Sequence, residues 1–105
     1  LLASNLPYGK QRKLEIARAM ATNPKLLLLD EPAAGLDPRG RRDILVSLRE
    51  YVDRNNATII LVSHSMEDMA LYCDNVVVMN NSRIYTTGTV EEVVPKLINF
   101  YQQKS

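Results

Sequence analysis

The chain has 105 residues, of which 46% are hydrophobic and 24% are charged, so we expect one soluble, globular domain with a modest core rather than a disordered segment. A formal net charge of +1 gives neither the basic footprint of a nucleic-acid-binding protein nor that of a membrane-surface protein. The single cysteine, Cys73, cannot form an internal disulfide, which favours a reducing compartment, and no apolar run is as long as a membrane span.

The first predicted element is a helix from about Lys10 to Thr22, preceded by a turn at residues 6–10 that Pro7 and Gly9 mark. The basic residues at its start favour either a solvated face or a phosphate site, because a helix N-terminus presents N–H groups and a positive dipole end. The expected apolar stripe consists of Leu14, Ala17 and Ala21, with Ile16 and Met20 beside it.

A run of four leucines, Leu26 to Leu29, predicts a strand that is buried on both faces in a parallel sheet. The run ends in Asp30, Glu31 and Pro32, and ligands in open α/β sheets bind just beyond the carboxyl ends of the strands. One carboxylate can hold Mg²⁺ through water while the other orients an attacking water. The alternative is a polar turn that closes a core strand.

The second predicted helix is capped by Asp37, begins at Pro38 and extends to about residue 54. Gly35 and Gly40 have the spacing of a phosphate loop between a strand and this helix, but we reject that interpretation. Pro38 lacks the N–H that such a loop donates, Asp37 would repel a phosphate, and arginines replace the required Lys and Ser/Thr. The residues of this helix that we expect to face inward are Ile44, Leu45, Leu48 and Val52.

A second buried strand is predicted from Thr58 to Val62, and His64 follows it at the same kind of strand end as Asp30. Ser65 is expected to cap a short helix. Two short strands at residues 76–79 and 84–87 form a predicted hairpin. Because His64 accompanies a strand-end pair of acids, it is a candidate phosphate contact; the alternative is a hydrogen-bonded structural histidine.

The last predicted element is a helix. Thr89 and Glu92 have the spacing of a capping box at its start. We expect the helix to be interrupted or restarted at Pro95, because proline lacks the N–H that the helix interior needs.

These residues, in this order, resemble the second half of an ATP-binding cassette (ABC) ATPase, the motor subunit of ABC transporters, from about Leu6 to Glu92. Residues 6–11 (Leu-Pro-Tyr-Gly-Lys-Gln) lie where the family has its signature motif, and residues 26–31 match its Walker B strand. Residues 35–37 match the D-loop, and His64 matches the switch histidine. The resemblance implies an α/β fold in which residues 1–105 form the C-terminal part of one nucleotide-binding domain. That part would be a partial P-loop NTPase (RecA-like) parallel sheet with flanking helices, lacking the phosphate-loop strand.

The resemblance also implies roles in ATP hydrolysis with Mg²⁺ as cofactor. Asp30 would hold Mg²⁺ through water, Glu31 would be the general base or orient the hydrolytic water, and His64 would contact the γ-phosphate. Gly9 and its neighbours would contact ATP bound by the opposite subunit of a dimer, and Asp37 would communicate across the dimer interface. The implied nucleotide-binding residues are Tyr8, Gly9, Lys10, Gln11, Asp30, Gly35 and Asp37.

Two departures from the family pattern carry further expectations. Pro7 and Tyr8 stand where the signature motif usually has Ser and Gly, so the serine hydroxyl that would bind phosphate is absent. The phosphate loop, the adenine-stacking aromatic and the glutamine loop would all precede Leu1, so we expect a piece of a longer protein, as the missing initial methionine also suggests. Without the phosphate-loop strand, we expect a gap or an exposed edge between the His64 strand and the Val76 strand.

These features favour an importer ATPase that couples ATP hydrolysis to solute uptake, with the isolated chain inactive. Residues 6–34 resemble ATPases of branched-chain amino-acid importers, and residues 36–92 are more similar to those of energy-coupling-factor importers. The implied partners are a second ABC ATPase subunit, in a homo- or heterodimer, and transmembrane permease subunits at the cytoplasmic, inner face of the membrane; nucleic acid is not among them. One alternative is a non-catalytic truncated cassette that donates a signature surface or packs against a partner. Another is a cassette ATPase of DNA repair, which the absence of heptads disfavours.

Overall fold

The computed structural model describes residues 8–104, apart from the side chains at positions 100, 101, 103 and 104. The chain divides after His64 into two compact units, an N-terminal and a C-terminal one. The N-terminal unit contains α1 (Tyr8–Ala21), β1 (Leu26–Asp30), α2 (Pro38–Asn55) and β2 (Thr58–Val62). The C-terminal unit contains α3 (Met66–Tyr72), β3 (Asn75–Asn80), β4 (Arg83–Thr89) and α4 (Val90–Lys104).

Strands β1 and β2 form a two-stranded parallel sheet, and α2 makes the crossover between them. The register pairs Asp30 with Val62, so the two predicted strand ends meet at one edge of the sheet. The prediction that β1 is buried on both faces is wrong for the described chain, because Leu28 is 67% exposed. Strand β2, which was also expected to be buried, has Ile60 52% exposed. The described residues cover the other face, where alternate strand residues are half-buried.

Helix α2 begins and ends where the sequence predicts. The Asp37 backbone is extended, and its Oδ1 accepts a hydrogen bond of 2.8 Å from the Gly40 N–H. Pro38 occupies the first helical position, where its missing N–H leaves no bond unmade. Asn56 ends the helix in the left-handed conformation, at φ 50° and ψ 42°. The buried residues of α2 are Ile44, Leu45, Leu48 and Tyr51, whereas the predicted Val52 is half-buried.

Helix α1 differs from its prediction in its first residue and in the face that it buries. It begins at Tyr8, so Tyr8 and Gly9 belong to its first turn rather than to a preceding turn, and residues 6 and 7 lie outside the described residues. The predicted apolar stripe is also wrong in part, because Ile16 is buried while Ala17 and Ala21 are exposed. Alanine gains little from burial because its side chain carries little apolar surface, so the larger Ile16 determines which face turns inward.

In the C-terminal unit, β3 and β4 form the predicted hairpin as an antiparallel pair. Asn81 and Ser82 make its turn at φ 52° and 62°, the positive values that a two-residue hairpin of type I′ requires. Glu92 N–H donates to Thr89 Oγ1 at 3.3 Å, as the predicted capping box requires. The predicted interruption at Pro95 is wrong, because α4 is continuous from Val90 to Lys104 with Pro95 inside it. The core here consists of Val76, Val93 and Leu97.

The two units contain separate sheets. Strand β2 pairs with β1 and strand β3 pairs with β4, and no strand in residues 8–104 pairs with the other edge of β2 or of β3. Within residues 8–104, β2 and β3 therefore each have an edge that pairs with no strand, in agreement with the expected exposed edge. No helix within the described residues has the length and apolar character to cross a membrane.

Candidate functional site

The ladder between β1 and β2 continues one residue beyond β1, at Glu31. The Glu31 N–H donates to Val62 O at 2.8 Å, and the Ala34 N–H donates to Glu31 O at 3.1 Å. Between these bonds the Glu31 backbone is left-handed, with φ 48°. A non-glycine residue in this region costs about 1–2 kcal/mol, so the surrounding bonds must hold it there.

Glu31 and His64 meet at the carboxyl ends of the two parallel strands. His64 Nε2 lies 3.3 Å from Glu31 Oε1. This approach lacks hydrogen-bond geometry, because the buried Oε1 has no hydrogen-bond partner among the described residues. The His64 side chain is 95% exposed, whereas that of Glu31 is 33% exposed. The pair thus combines a sheltered acceptor oxygen that no described group satisfies with an imidazole that is open to an anionic ligand.

Asp30 ends β1 one residue before Glu31 and is exposed. No cluster of three or more His, Cys, Asp or Glu side chains that could hold a metal occurs in the described part of the chain. One exposed carboxylate fits a hydrated Mg²⁺, which keeps most of its waters and uses one or two protein carboxylates together with substrate phosphates. Asp30 is therefore the residue of this site that could hold Mg²⁺.

Arg12 of α1 binds the connection that follows β1. Its Nε donates to Pro32 O at 2.9 Å, and its Nη2 donates to Glu31 O at 3.0 Å and to Asp30 O at 3.3 Å. Our sequence interpretation missed Arg12, because the basic start of α1 was assigned to a solvated face or to phosphate. Its position four residues after Tyr8, and so on the same helix face, is the signal that could have identified it.

Tyr8 binds the same connection at Ala34, two residues after Pro32. Its hydroxyl donates to Ala34 O at 3.2 Å, and its ring lies against Gly35. Gly35 has φ 76°, and a Cβ there would approach the Tyr8 ring to 3.4 Å, so both backbone and space favour glycine. The aromatic ring that replaces the usual signature glycine is thus packed on the segment that matches the D-loop.

The structure brings most of the predicted signature and D-loop residues together. A Cβ at Gly9 would lie 3.6 Å from Leu36 Cδ2, so the first turn of α1 lies close to the residues before α2. Asp37 lies at the end of this segment, where its carboxylate caps α2. That carboxylate accepts the hydrogen bond of the Gly40 N–H that a phosphate loop would offer to phosphate, which supports the rejection of the phosphate-loop interpretation. Lys10 is exposed and Gln11 is half-buried on the same turn.

Helices α1 and α2 are also joined by charge. Lys13 Nζ lies 2.9 Å from Asp43 Oδ2, and both side chains are about half exposed. The hydrogen bond from Lys13, reinforced by its charge, lowers the pKa of Asp43 below its ordinary value. Within α2, the hydrogen bond from Arg49 lowers the pKa of Asp53 in the same way. The Lys13–Asp43 pair joins α1 to α2 and the Arg49–Asp53 pair lies within α2; both are exposed, and neither contains a candidate catalytic group of the site.

Comparison with known proteins gives a consistent set of relatives. Residues 1–69 match the family model described as "AAA domain, putative AbiEii toxin, Type IV TA system". The energy-coupling factor transporter ATP-binding protein EcfA2 of Clostridium perfringens is 49% identical over 89 residues, which are 85% of this chain and 31% of that protein. The high-affinity branched-chain amino acid transport ATP-binding protein LivG of Salmonella typhimurium is 44% identical over 91 residues, 87% of this chain and 36% of that protein.

Solved structures agree with these relatives. The cbiO1 protein from Clostridium perfringens, part of the ABC transporter complex cbiONQ, superposes with a TM-score of 0.79 at 39% identity, over 89% of this chain and 37% of that one. MJ1267, an ATP-binding cassette of an ABC transporter, gives a TM-score of 0.74 at 31% identity, over 94% and 41%. The chain spans about a third of the length of the curated relatives that it matches. The mixed resemblance to two importer types is confirmed.

Proposed function

Because this chain belongs to the family of the matched AAA-domain model and, with its relatives, to the ATP-binding cassette ATPases, we propose that residues 1–105 are the C-terminal part of one nucleotide-binding domain. The complete protein hydrolyses ATP and couples hydrolysis to solute uptake. The isolated chain is inactive, since the family's phosphate loop does not occur in its sequence. The observation that carries this proposal is the Glu31–His64 pair at the carboxyl ends of two parallel strands.

The proposed chemistry uses the different exposures of these two residues. Glu31, with its sheltered Oε1, accepts the proton of the attacking water or orients that water toward the γ-phosphate. His64, which is open to solvent, contacts the γ-phosphate. Asp30 would hold Mg²⁺ through water, and the ion would supply positive charge that neutralises the phosphate oxygens. Phosphoryl transfer needs mainly positioning and electrostatic stabilisation, which these three side chains can supply.

The signature and D-loop residues have a proposed role at a dimer interface. Tyr8, Gly9, Lys10 and Gln11 contact ATP held by a second cassette subunit, while Gly35 and Asp37 lie in the segment that meets that subunit. The start of α1 supports this role, because a helix N-terminus presents N–H groups and a positive dipole end to phosphate.

The proposed assembly places the protein at the inner face of a membrane, attached to permease subunits. Support comes from relatives whose names describe transporter ATP-binding proteins, and from cbiO1, which is part of a transporter complex. The proposed partners are thus a second cassette ATPase subunit and transmembrane permeases.

The test is Glu31→Gln in the native gene product that contains this chain. The amide keeps the shape of the side chain but cannot accept the proton, so kcat for ATP hydrolysis should fall about 100-fold or more. The Kd for ATP should stay within about two-fold of the wild-type value, because binding does not use the base. Steady-state turnover and equilibrium ATP binding measure the two effects.

The matched control is Glu50→Gln, which changes an exposed acid of α2 outside the site and should leave kcat unaltered. Near-wild-type turnover in Glu31→Gln would contradict the role of Glu31. ATP binding without any turnover in the wild-type gene product would instead support the non-catalytic cassette.

A further inference from the structure

One guanidinium holds three consecutive carbonyl groups at the proposed reaction centre. The Arg12 side chain donates to the backbone oxygens of Asp30, Glu31 and Pro32, at 3.3, 3.0 and 2.9 Å. All three bonds span at least 18 positions of sequence, so they are tertiary contacts between α1 and the end of β1. The side chain is 26% exposed; its bonds to Pro32 O and Glu31 O are partly buried, and its bond to Asp30 O is exposed.

These bonds are made at the end of β1, where the backbone carbonyl groups have lost their strand partners. A strand's carbonyl groups lose their ladder partners where the strand ends, and Glu31 takes its left-handed conformation at that point. The Glu31 N–H is fixed by Val62, and its carbonyl is fixed by Ala34 and Arg12. Since the guanidinium is a rigid, planar fork of five donors, it defines the direction of several carbonyl groups at once.

We propose that Arg12 is a positioning residue for Glu31. It fixes the strand-end turn from which the Glu31 side chain projects, and so holds the carboxylate where it can act on water. This inference rests on the proposed function, since it assigns Arg12 a task in the hydrolysis that Glu31 performs.

The placement of Arg12 also connects the start of α1 to the backbone of Glu31. Arg12 lies one turn after Tyr8, on the helix whose first turn is proposed to contact ATP of the opposite subunit. Tyr8 itself donates to Ala34 O, so two side chains on one face of α1 bind the same connection. A displacement of α1 at the nucleotide would therefore be transmitted to the backbone of Glu31 through these bonds.

The experiment uses Arg12→Met in the native gene product, because methionine keeps an apolar stem and removes all five donors. We expect kcat for ATP hydrolysis to fall about 10- to 100-fold with the KM for ATP within about two-fold, since a small misplacement of a catalytic group reduces the rate by such factors. Arg12→Lys, which retains a single donor group, should recover part of kcat. Lys13→Gln is the matched control, because it removes the neighbouring cation of α1, which pairs with Asp43, and should leave kcat unchanged.

A double-mutant cycle distinguishes a positioning role of Arg12 for Glu31 from a general loss of structure in the Arg12 variant. If Arg12 acts through Glu31, adding Arg12→Met to Glu31→Gln should change the residual single-turnover rate by less than about two-fold. The same loss in both backgrounds, or a normal kcat in Arg12→Met, would overturn the proposal. Circular dichroism shows whether Arg12→Met folds, and if it does not, Arg12→Lys in the same cycle decides.

The two proposals fail separately. Full turnover in Glu31→Gln would contradict the proposed role of Glu31 and therefore the premise of the Arg12 proposal. If Glu31→Gln loses turnover while both Arg12 variants keep normal turnover, only the positioning role of Arg12 is contradicted.

Discussion

Glu31 carries its carboxylate on a backbone that its residue type disfavours, with φ 48°. Two tertiary hydrogen bonds, from Arg12 and to Val62 of β2, and a local turn to Ala34 hold this conformation. The buried Oε1 is left without a hydrogen-bond partner in the described chain while His64 stands 3.3 Å away. Strain and an unsatisfied oxygen at one residue are typical of a site prepared for a ligand rather than for stability.

His64→Ala tests whether that histidine serves function or fold. Because its side chain is 95% exposed, we expect the free energy of unfolding to change by less than about 0.5 kcal/mol. Turnover of ATP should nevertheless fall at least about 10-fold, since the contact to the γ-phosphate is lost. Urea unfolding and steady-state hydrolysis of the native gene product measure the two. A large loss of stability with normal turnover would support the structural alternative.

At the scale of elements, features set by neighbouring residues were predicted correctly, whereas features set by tertiary contacts were not. The boundaries of α2 follow from Asp37, Pro38 and Asn56, which act on adjacent backbone groups, and the sequence alone identified them. The start of α1 and the contacts of Arg12 depend on a connection at least 18 residues away, so no nearby residue indicates them. The left-handed Glu31 was unpredictable for the same reason, because bonds from other elements impose it.

The ion pair between α1 and α2 predicts a dependence of stability on pH. The pKa of Asp43 is lowered below its ordinary value of 3.8, chiefly by the Lys13 hydrogen bond, so the carboxylate is favoured in the folded state. Its contribution is present above that value and is lost as the pH falls through the folded-state pKa. Wild type should therefore exceed Asp43→Asn in urea midpoint at about pH 7 and 5, and the difference should shrink progressively as the pH falls below 3.8 and through the folded-state pKa.

Glu50→Gln again serves as the control, as an exposed acid on the same helix. Glu50 takes no part in the Lys13–Asp43 pair. A gap between wild type and Asp43→Asn that persists unchanged as the pH falls well below 3.8 would exclude the ion pair as its source.

At the scale of the whole molecule, one face of the β1–β2 sheet is left apolar and exposed. Leu26, Leu28, Ile60 and Val62 share this face in register and are each more than half exposed. The leucine run predicted burial on both faces, but residues 8–104 cover one. A contiguous apolar face of this kind requires a partner surface, whereas single exposed apolar side chains are ordinary.

Leu28→Lys tests whether the native gene product covers this face. A charge placed among buried apolar groups should lower the free energy of unfolding by about 2–4 kcal/mol. The control is Leu71→Lys on α3, where the leucine is 66% exposed outside that face and should cost less than about 1 kcal/mol. Equal effects of the two substitutions in urea unfolding would show that the face stays open to water.

The order of the two units along the chain also determines when the Glu31–His64 pair can form during synthesis. Every described contact of the Glu31–His64 pair lies within the N-terminal unit, which precedes the β3–β4 hairpin in the chain. A ribosome releases these residues first, at about 5–20 residues per second. The Glu31–His64 pair can therefore assemble on the nascent chain before the last hairpin and helix have been translated.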